Sequence, residues 1–137
     1  MLNRPRFRPH FHVEVLPGEG VVLLSDTRHS LLRGRLYELV VPWLDGRTAD
    51  DVCARLRAEA SPAEVYYVLT QLERKDYLCE EEPALPPGQA ALWSSQQVVP
   101  GTAVRRLAER SVGVRAFGVE AGSFRELLQS LHVRFDR

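Results

Sequence analysis

The spacing of hydrophobic residues changes at Gly34, and this change constrains the fold more than any other feature. In RHSLLRGRLYELV (28–40), the part before Gly34 is a short extended pattern. After it, apolar residues recur at Leu36, Leu39 and Val40, which is helical spacing. The sequence therefore predicts strands before this point and helices after it.

Three short strands are predicted before Gly34. HFHVEVL (10–16) alternates apolar and polar residues, which is typical of a half-buried strand. PGEG (17–20) is a turn by composition, VVLLS (21–25) is a second strand, and DTRH leads to a third that ends near Arg33. Short strands joined by tight turns favour an antiparallel meander.

Three helices are predicted next, from about 34 to 44, 48 to 60 and 61 to 75. Thr48 and Asp51 fit a capping box at the second. SPAE (61–64) starts the third, with Ser as N-cap and Pro at the first helical position. The expected fold is α+β: a winged helix-turn-helix with a three-stranded antiparallel sheet followed by three helices. The core face of the third helix is predicted to be Val65, Val68, Leu69 and Leu72.

The chain is divided into three regions by composition. Residues 1–80 hold the strands and helices, with RPRFRP near the start as a flexible or edge-hugging arm. Residues 81–98 are predicted to be a Pro-rich linker, entered through the acidic run EEE, which is interpreted as solvated. Residues 99–137 have the pattern of a small βαβ unit, with a buried strand at 112–119 and a helix capped by Ser123.

Composition excludes several classes of function. Eighteen basic and 18 acidic residues give a formal net charge of zero, so there is no global attraction to nucleic acid or to anionic membrane. No segment is long and apolar enough to span a bilayer, and a cytoplasmic location is expected. Cys53 and Cys79 are far apart, and the pair His10 and His12 lacks a third ligand, so no metal or other cofactor is predicted.

No catalytic constellation is evident, and a non-enzymatic protein is expected. FGVEAG (117–122) lies where a nucleotide-binding loop would occur, but it is poor in glycine and carries Glu120. DNA binding is the usual role of a winged helix. Here the third helix carries Glu64 and Glu73 as well as Arg74 and Lys75, so it is not a clearly basic recognition helix. A small DNA-binding regulator remains an alternative.

Peptide capture fits the strand order better. A third strand at the edge of the sheet leaves backbone groups unpaired, and an extended peptide can add to them. The third helix would form the opposite wall through one of its two flanks. Tyr66, Thr70 and Glu73 lie on one flank, and Tyr67, Gln71 and Arg74 on the other.

Two segments carry a family resemblance: LLRGRLYELVVPWLDGRTADDV and SPAEVYYVLTQLERKDYL. Over about residues 8–80 the sequence resembles the RiPP recognition element, whose archetype is the PqqD peptide chaperone. It is most similar to the N-terminal domain of the leader-binding, E1-like (ocin-ThiF-like) partners of YcaO cyclodehydratases. Those proteins serve TOMM pathways that form thiazoles and oxazoles, including thiopeptide antibiotic biosynthesis.

The resemblance implies a non-catalytic domain that binds the leader of a precursor peptide by strand addition and delivers it to a YcaO-type cyclodehydratase for azoline and azole formation. Arg33, Arg74 and Lys75 would suit an acidic leader. A purely structural subunit of the enzyme is a further alternative. The implied contacts are His29, Ser30, Leu31, Leu32 and Arg33 on the strand, and Tyr66, Tyr67, Thr70, Gln71, Arg74 and Lys75 on the helix.

The tail resembles the opening of an E1-like domain and stops after its first βαβ unit. Either the chain is truncated or it keeps a remnant, and adenylation is not expected of it. The open edges of an isolated strand pair would favour packing on the first domain or formation of a homodimer.

Overall fold

A three-stranded antiparallel sheet forms the first layer of the fold. The computed structural model describes residues 1–82, 85–131 and 133–136. Each strand pairs with the next along the chain, so the predicted meander and winged-helix fold class are confirmed. The strands are β2 (His12–Leu16), β3 (Gly20–Leu24) and β4 (His29–Leu32).

Three helices pack on one face of this sheet. They are α1 (Arg35–Val40), continued by a 3-10 turn (Val41–Trp43), then α2 (Ala49–Leu56) and α3 (Pro62–Arg74). The predicted capping box from Thr48 to Asp51 is present, and the predicted N-cap Ser61 forms another with Glu64, because each N-cap side chain accepts the backbone N–H three residues on. Helix α2 ends four residues earlier than predicted.

The core lies between the sheet and the helices. Val21 and Leu23 of β3 are fully buried, and the predicted apolar stripe of α3 is buried along its whole length. Removing this apolar surface from water is the main stabilising contribution to the fold. The buried cluster consists of Val21, Leu23, Leu32, Val40, Val41, Leu44, Ala49, Val52, Leu56, Ala60, Val65, Val68, Leu69, Leu72, Tyr77 and Leu78.

The N-terminal segment is a strand, so of the two alternatives predicted for RPRFRP the flexible arm is wrong and an arm that lies along a strand edge is right. Strand β1 (Pro5–Phe7) pairs antiparallel with β5 (Leu78–Glu80), which follows α3. The carboxylate of Glu80 also accepts the backbone N–H groups of Asn3 and Arg4 at 2.8 and 2.6 Å. The start of the chain is therefore fastened to the end of the winged helix.

The acidic run is anchored rather than solvated, which corrects a second expectation. Besides Glu80, Glu81 lies 3.5 Å from the guanidinium of Arg4, and Glu82 accepts the N–H of Gly101 at 2.8 Å. Within the segment predicted as a Pro-rich linker, helix α4 spans Pro87–Ser95. The structure thus gives this region secondary structure and fixed contacts at its start.

The C-terminal region contains the predicted βαβ unit. After α5 (Pro100–Glu109), strands β6 (Ser111–Gly113) and β7 (Arg134–Asp136) pair in parallel, with α6 (Gly122–Ser130) between them. No helix in the described part of the chain is long and apolar enough to cross a membrane.

Two details of this unit differ from the sequence prediction. The strand expected at 112–119 spans three residues, and its side chains are exposed rather than buried. Helix α6 begins after Ala121, and within the described residues Ser123 makes no capping hydrogen bond. The sequence pattern HVRF (132–135) also predicts a last strand, and its first residue, His132, lies outside the described residues. The local sequence pattern does not show how few other elements cover β6, which is why burial was predicted.

Candidate functional site

Strand β4 is an edge strand of its sheet. Its partner on one side is β3, and no other strand among the described residues pairs with it. The backbone N–H of Ser25 donates to the carbonyl of Arg28 at 2.7 Å, so these two residues form a hydrogen-bonded pair at the end of the ladder. Such pairs recur every second residue, so Ser30 and Leu32 point their backbone groups toward β3. His29 and Leu31 therefore point theirs outward, away from the sheet.

The side chains of β4 alternate between two environments. Leu32 is buried, and Ser30 faces the same helical side of the sheet. His29 and Leu31 face the opposite surface, where Leu31 is 44% exposed, and Arg33 is exposed just beyond the strand. The predicted contact residues on β4 thus lie on a strand edge whose outward backbone groups are unpaired within the described part of the chain, and the side chains of Ser30 and Leu32 face the helices.

Helix α3 ends in a way that ties it to β4. The N–H of Tyr77 donates to the carbonyl of Leu72 and that of Asp76 to Glu73, which together form a Schellman motif. Asp76 takes the left-handed position with φ of 60°, and the guanidinium of Arg8 binds both its carboxylate and its carbonyl. The chain then turns back, and the hydroxyl of Tyr77 donates to that of Ser30 at 2.9 Å.

The structure separates the two flanks of α3. Tyr66 donates its hydroxyl to the Asp50 carboxylate on α2 at 2.8 Å, and Thr70 on the same flank bonds back to the Tyr66 carbonyl. That flank is directed toward α2. Tyr67 lies on the other flank and is 56% exposed. Burial, and to a smaller extent the electrostatic influence of Tyr67, raises the pKa of Tyr37 on α1.

The open edge of β4 and the exposed Tyr67 flank of α3 are linked through the Tyr77–Ser30 hydrogen bond, and together they bound a candidate binding surface. We call it the β4–α3 groove. At one end is Tyr37 of α1, close enough to Tyr67 for that residue to raise its pKa, and at the other end is the Tyr77–Ser30 hydrogen bond. Gln71, half-buried, follows Tyr67 one helical turn later on the same flank. Of the predicted helix contacts, the structure brings Tyr67 and Gln71 to this groove and directs Tyr66 and Thr70 away from it.

Sequence reasoning missed Tyr37 and Tyr77, which form the two ends of the groove. Tyr37 comes three residues after the strand-to-helix change at Gly34, and Tyr77 comes three residues after Arg74, the last residue of α3. A polar aromatic residue next to an element boundary is a weak signal, but it was available in both cases. Burial of Tyr77 with a satisfied hydroxyl is the structural observation that reveals it.

Positive charge surrounds the groove. Arg33, Arg74 and Lys75 are exposed, and none of them makes an ion pair within 4.0 Å in the part of the chain that the structure describes. Arg74 lies in the last turn of α3, and Lys75 caps it. These cations are available to a ligand, although exposed pairs of this kind contribute little affinity each.

The two histidines considered as a metal site, His10 and His12, do not lie on the same strand. Strand β2 begins at His12, and His10 lies before it with its Nδ1 2.7 Å from the Ser94 hydroxyl on α4. Among the described residues, no group of three or more His, Cys, Asp or Glu side chains is placed to hold a metal ion.

Comparison with known families and structures agrees with this architecture. The family model of the winged helix-turn-helix domain (DUF4423-like) matches residues 6–80, and the chain belongs to this family. No curated protein matches the sequence.

Two solved structures are similar over nearly the entire chain. One, a heterocyclase in complex with substrate and cofactor, is 29% identical with a TM-score of 0.80 over 96% of this chain. The other, the heterocyclase TruD, is 27% identical with a TM-score of 0.80 over 98% of this chain. The chain spans 18% and 20% of the lengths of these two proteins.

Proposed function

We propose that this chain is a non-catalytic RiPP recognition element, which binds the leader of a ribosomally made precursor peptide and delivers it to a YcaO-type cyclodehydratase. The leader pairs with β4 as an added strand and lies in the β4–α3 groove. Holding the leader raises the effective concentration of the rest of the precursor at a separate active site. The chain itself supplies binding and positioning.

The observation that carries the proposal is the open edge of β4 beside a groove lined by tyrosines. His29 and Leu31 point backbone groups outward, and strand addition uses such groups for affinity. Similarity along almost the whole chain to a heterocyclase solved with its substrate supports an association with this type of peptide modification.

The geometry also indicates how a leader would be selected. Side chains of an added strand alternate, so every second one would point toward α3 and contact Tyr37, Tyr67 and Gln71. The others would lie beside Leu31 on the outer surface, where an apolar residue fits. Arg33 and Lys75 at the rim favour a leader with acidic residues.

Replacement of Leu31 by Pro tests strand addition. The N–H of Leu31 points away from β3, so Pro removes a donor to the peptide while the β3–β4 ladder keeps its bonds. We expect leader affinity to fall by about tenfold, the value of about one hydrogen bond. The measurement is isothermal titration with a leader peptide from a precursor encoded beside this chain.

Leu31→Val is the matched control, because it keeps the N–H and changes only the side chain. Circular dichroism of each variant checks the fold. If Leu31→Pro does not fold, His29→Pro tests the same idea, because it removes the other outward-pointing backbone donor of β4. Equal affinity of folded Leu31→Pro and Leu31→Val would contradict strand addition.

A DNA-binding regulator is the second candidate, since the family match is to a winged helix-turn-helix domain. The exposed surface of α3 would then contact DNA, and Arg74 and Lys75 would supply its positive charge. A gel-shift at low salt with random-sequence duplex tests this, because non-specific DNA binding depends on phosphate contacts. Retardation that is lost in Arg74→Glu would favour DNA binding over peptide binding.

A further inference from the structure

A cavity lies at the end of the sheet where β3 turns into β4. Its volume is about 520 Å³, and it lies between that turn and α4. It adjoins the β4–α3 groove, because Arg28, which lines the cavity, directly precedes β4, and Asp76, also in the lining, directly precedes Tyr77. An extended peptide leaving β4 past His29 would therefore enter this cavity.

Arg28 lines the cavity and lies over the ring of Tyr77. Its Cζ lies 5.4 Å from the centroid of the Tyr77 ring, whose hydroxyl is bonded to Ser30. Arg8 is also in the lining, but its guanidinium pairs with Asp76. Arg28 makes no ion pair within 4.0 Å in the described ranges, so its charge is available, with Asp26 as the other carboxylate of the lining.

Helix α4 supplies the far wall. Ser94, 1% exposed, bonds to the ring of His10 and so fastens the helix to the segment before β2. Burial and Arg8 lower the pKa of His10, which favours the neutral ring in this contact. Beyond Ser94, Gln96 and Gln97 also line the cavity. The wall therefore offers hydrogen-bonding groups without charge.

We propose that the peptide-binding groove continues past His29 into this cavity, where Arg28 binds a carboxylate side chain of the same peptide. This inference rests on the proposed function and names a specificity subsite within it. It also gives α4 a role in recognition. A peptide that fills only the β4 edge would bind more weakly than one that extends into the cavity.

Selection from a displayed library of random peptides tests this with the intact chain. Peptides of about 16 residues would cover both β4 and the cavity at about 3.3 Å per residue. Hydrogen exchange identifies the selected peptides that protect the amides of β4. Among these peptides we expect Asp or Glu to be enriched just beyond the paired segment. In the protein, we expect the backbone amides of Gln96 and Gln97 to gain protection from exchange.

Charge reversal then tests Arg28 directly. With a selected acidic peptide, Arg28→Glu is expected to weaken binding at least tenfold, and Arg28→Ala less. Arg57→Glu, an identical change on an exposed residue at the end of α2, is the control and should leave affinity unchanged. A peptide whose acidic residue is replaced by Arg should regain affinity for Arg28→Glu.

Two results would overturn the inference in different ways. If selected peptides protect β4 but bind the Arg28→Glu and Arg57→Glu variants equally, the subsite is wrong while strand addition stands. If no selected peptide protects β4, the proposed function fails and the subsite fails with it. Circular dichroism confirms that each variant is folded.

Discussion

The winged helix and the C-terminal βαβ unit use the same kinds of element with different results. In the first, a sheet and three helices enclose a continuous apolar core. In the second, two three-residue strands and one helix leave large apolar side chains in water, with Phe117 82% and Phe124 52% exposed. A parallel pair of strands normally has both faces covered, and here α5 and α6 contact β7 while the side chains of β6 stay exposed. Stability should therefore be concentrated in the first unit.

Truncating one leucine in each unit should produce the largest contrast. Leu72→Ala on α3 removes a fully buried side chain and should lower the free energy of unfolding by about 3 kcal/mol. Leu127→Ala on α6 alters an exposed residue and should change it by less than about 0.5 kcal/mol. Urea denaturation measures both. A comparable loss in the two variants would mean that the βαβ unit is covered in solution.

A glycine in each unit provides the next contrast. Gly20 has φ of 132°, and a Cβ there would overlap the carbonyl of Leu32. Gly20→Ala should cost about 2 kcal/mol and disturb β4. A Cβ added at Gly113 would meet no atom within 4 Å among the described residues, so Gly113→Ala should stabilise the folded state by about 0.5 kcal/mol. Thermal unfolding compares them, and an unperturbed Gly20→Ala would contradict the close approach of β3 and β4.

Helix capping gives a smaller contrast. Ser61 accepts the N–H of Glu64, so Ser61→Ala should cost about 1 kcal/mol. Ser123→Ala should be close to neutral, because Ser123 makes no capping bond in the described part of α6. The same denaturation experiment applies. An equal cost at both positions would show that α6 is capped as the sequence suggested.

Acid sensitivity gives the smallest effect. Hydrogen bonds from the backbone and side chain of Ser61 lower the pKa of Glu64 in the folded state. A lowered folded pKa contributes stability above the unfolded value, which is lost as pH falls through the folded one. Ser61→Ala removes the side-chain bond and keeps the larger backbone one, so it should flatten only part of the acid limb of the stability profile below about pH 4.5. A limb unchanged from the parent would exclude this contribution.

Local signals account for most of what the sequence predicted correctly. Helix α3 carries a complete start signal at Ser61 and an uninterrupted apolar stripe, so its position and buried face could both be deduced. Strand β1 could not, because its three residues gain their partner from β5, more than 70 residues along the chain. Helix α4 was hidden by its prolines, which favour a linker assignment although Pro87 begins the helix.

The candidate site was predictable in part for the same reason. The edge position of β4 follows from the strand order, and β4 is at the edge of the sheet in the structure. The choice between the flanks of α3 did not follow, because Tyr66 and Tyr67 both lie next to the apolar stripe. That choice depends on Asp50, which takes the hydroxyl of Tyr66, and this is a tertiary contact.

The Schellman motif at Asp76 has a consequence for the kinetics of the proposed peptide binding. Since Arg8 clamps this end of α3, the wall of the groove is already ordered before a peptide arrives. The entropy lost on binding would then fall almost entirely on the peptide. Association would proceed without a slow rearrangement of the receptor, and differences in affinity among leaders would appear in their residence times. A leader that is already extended in the free state would be retained longest.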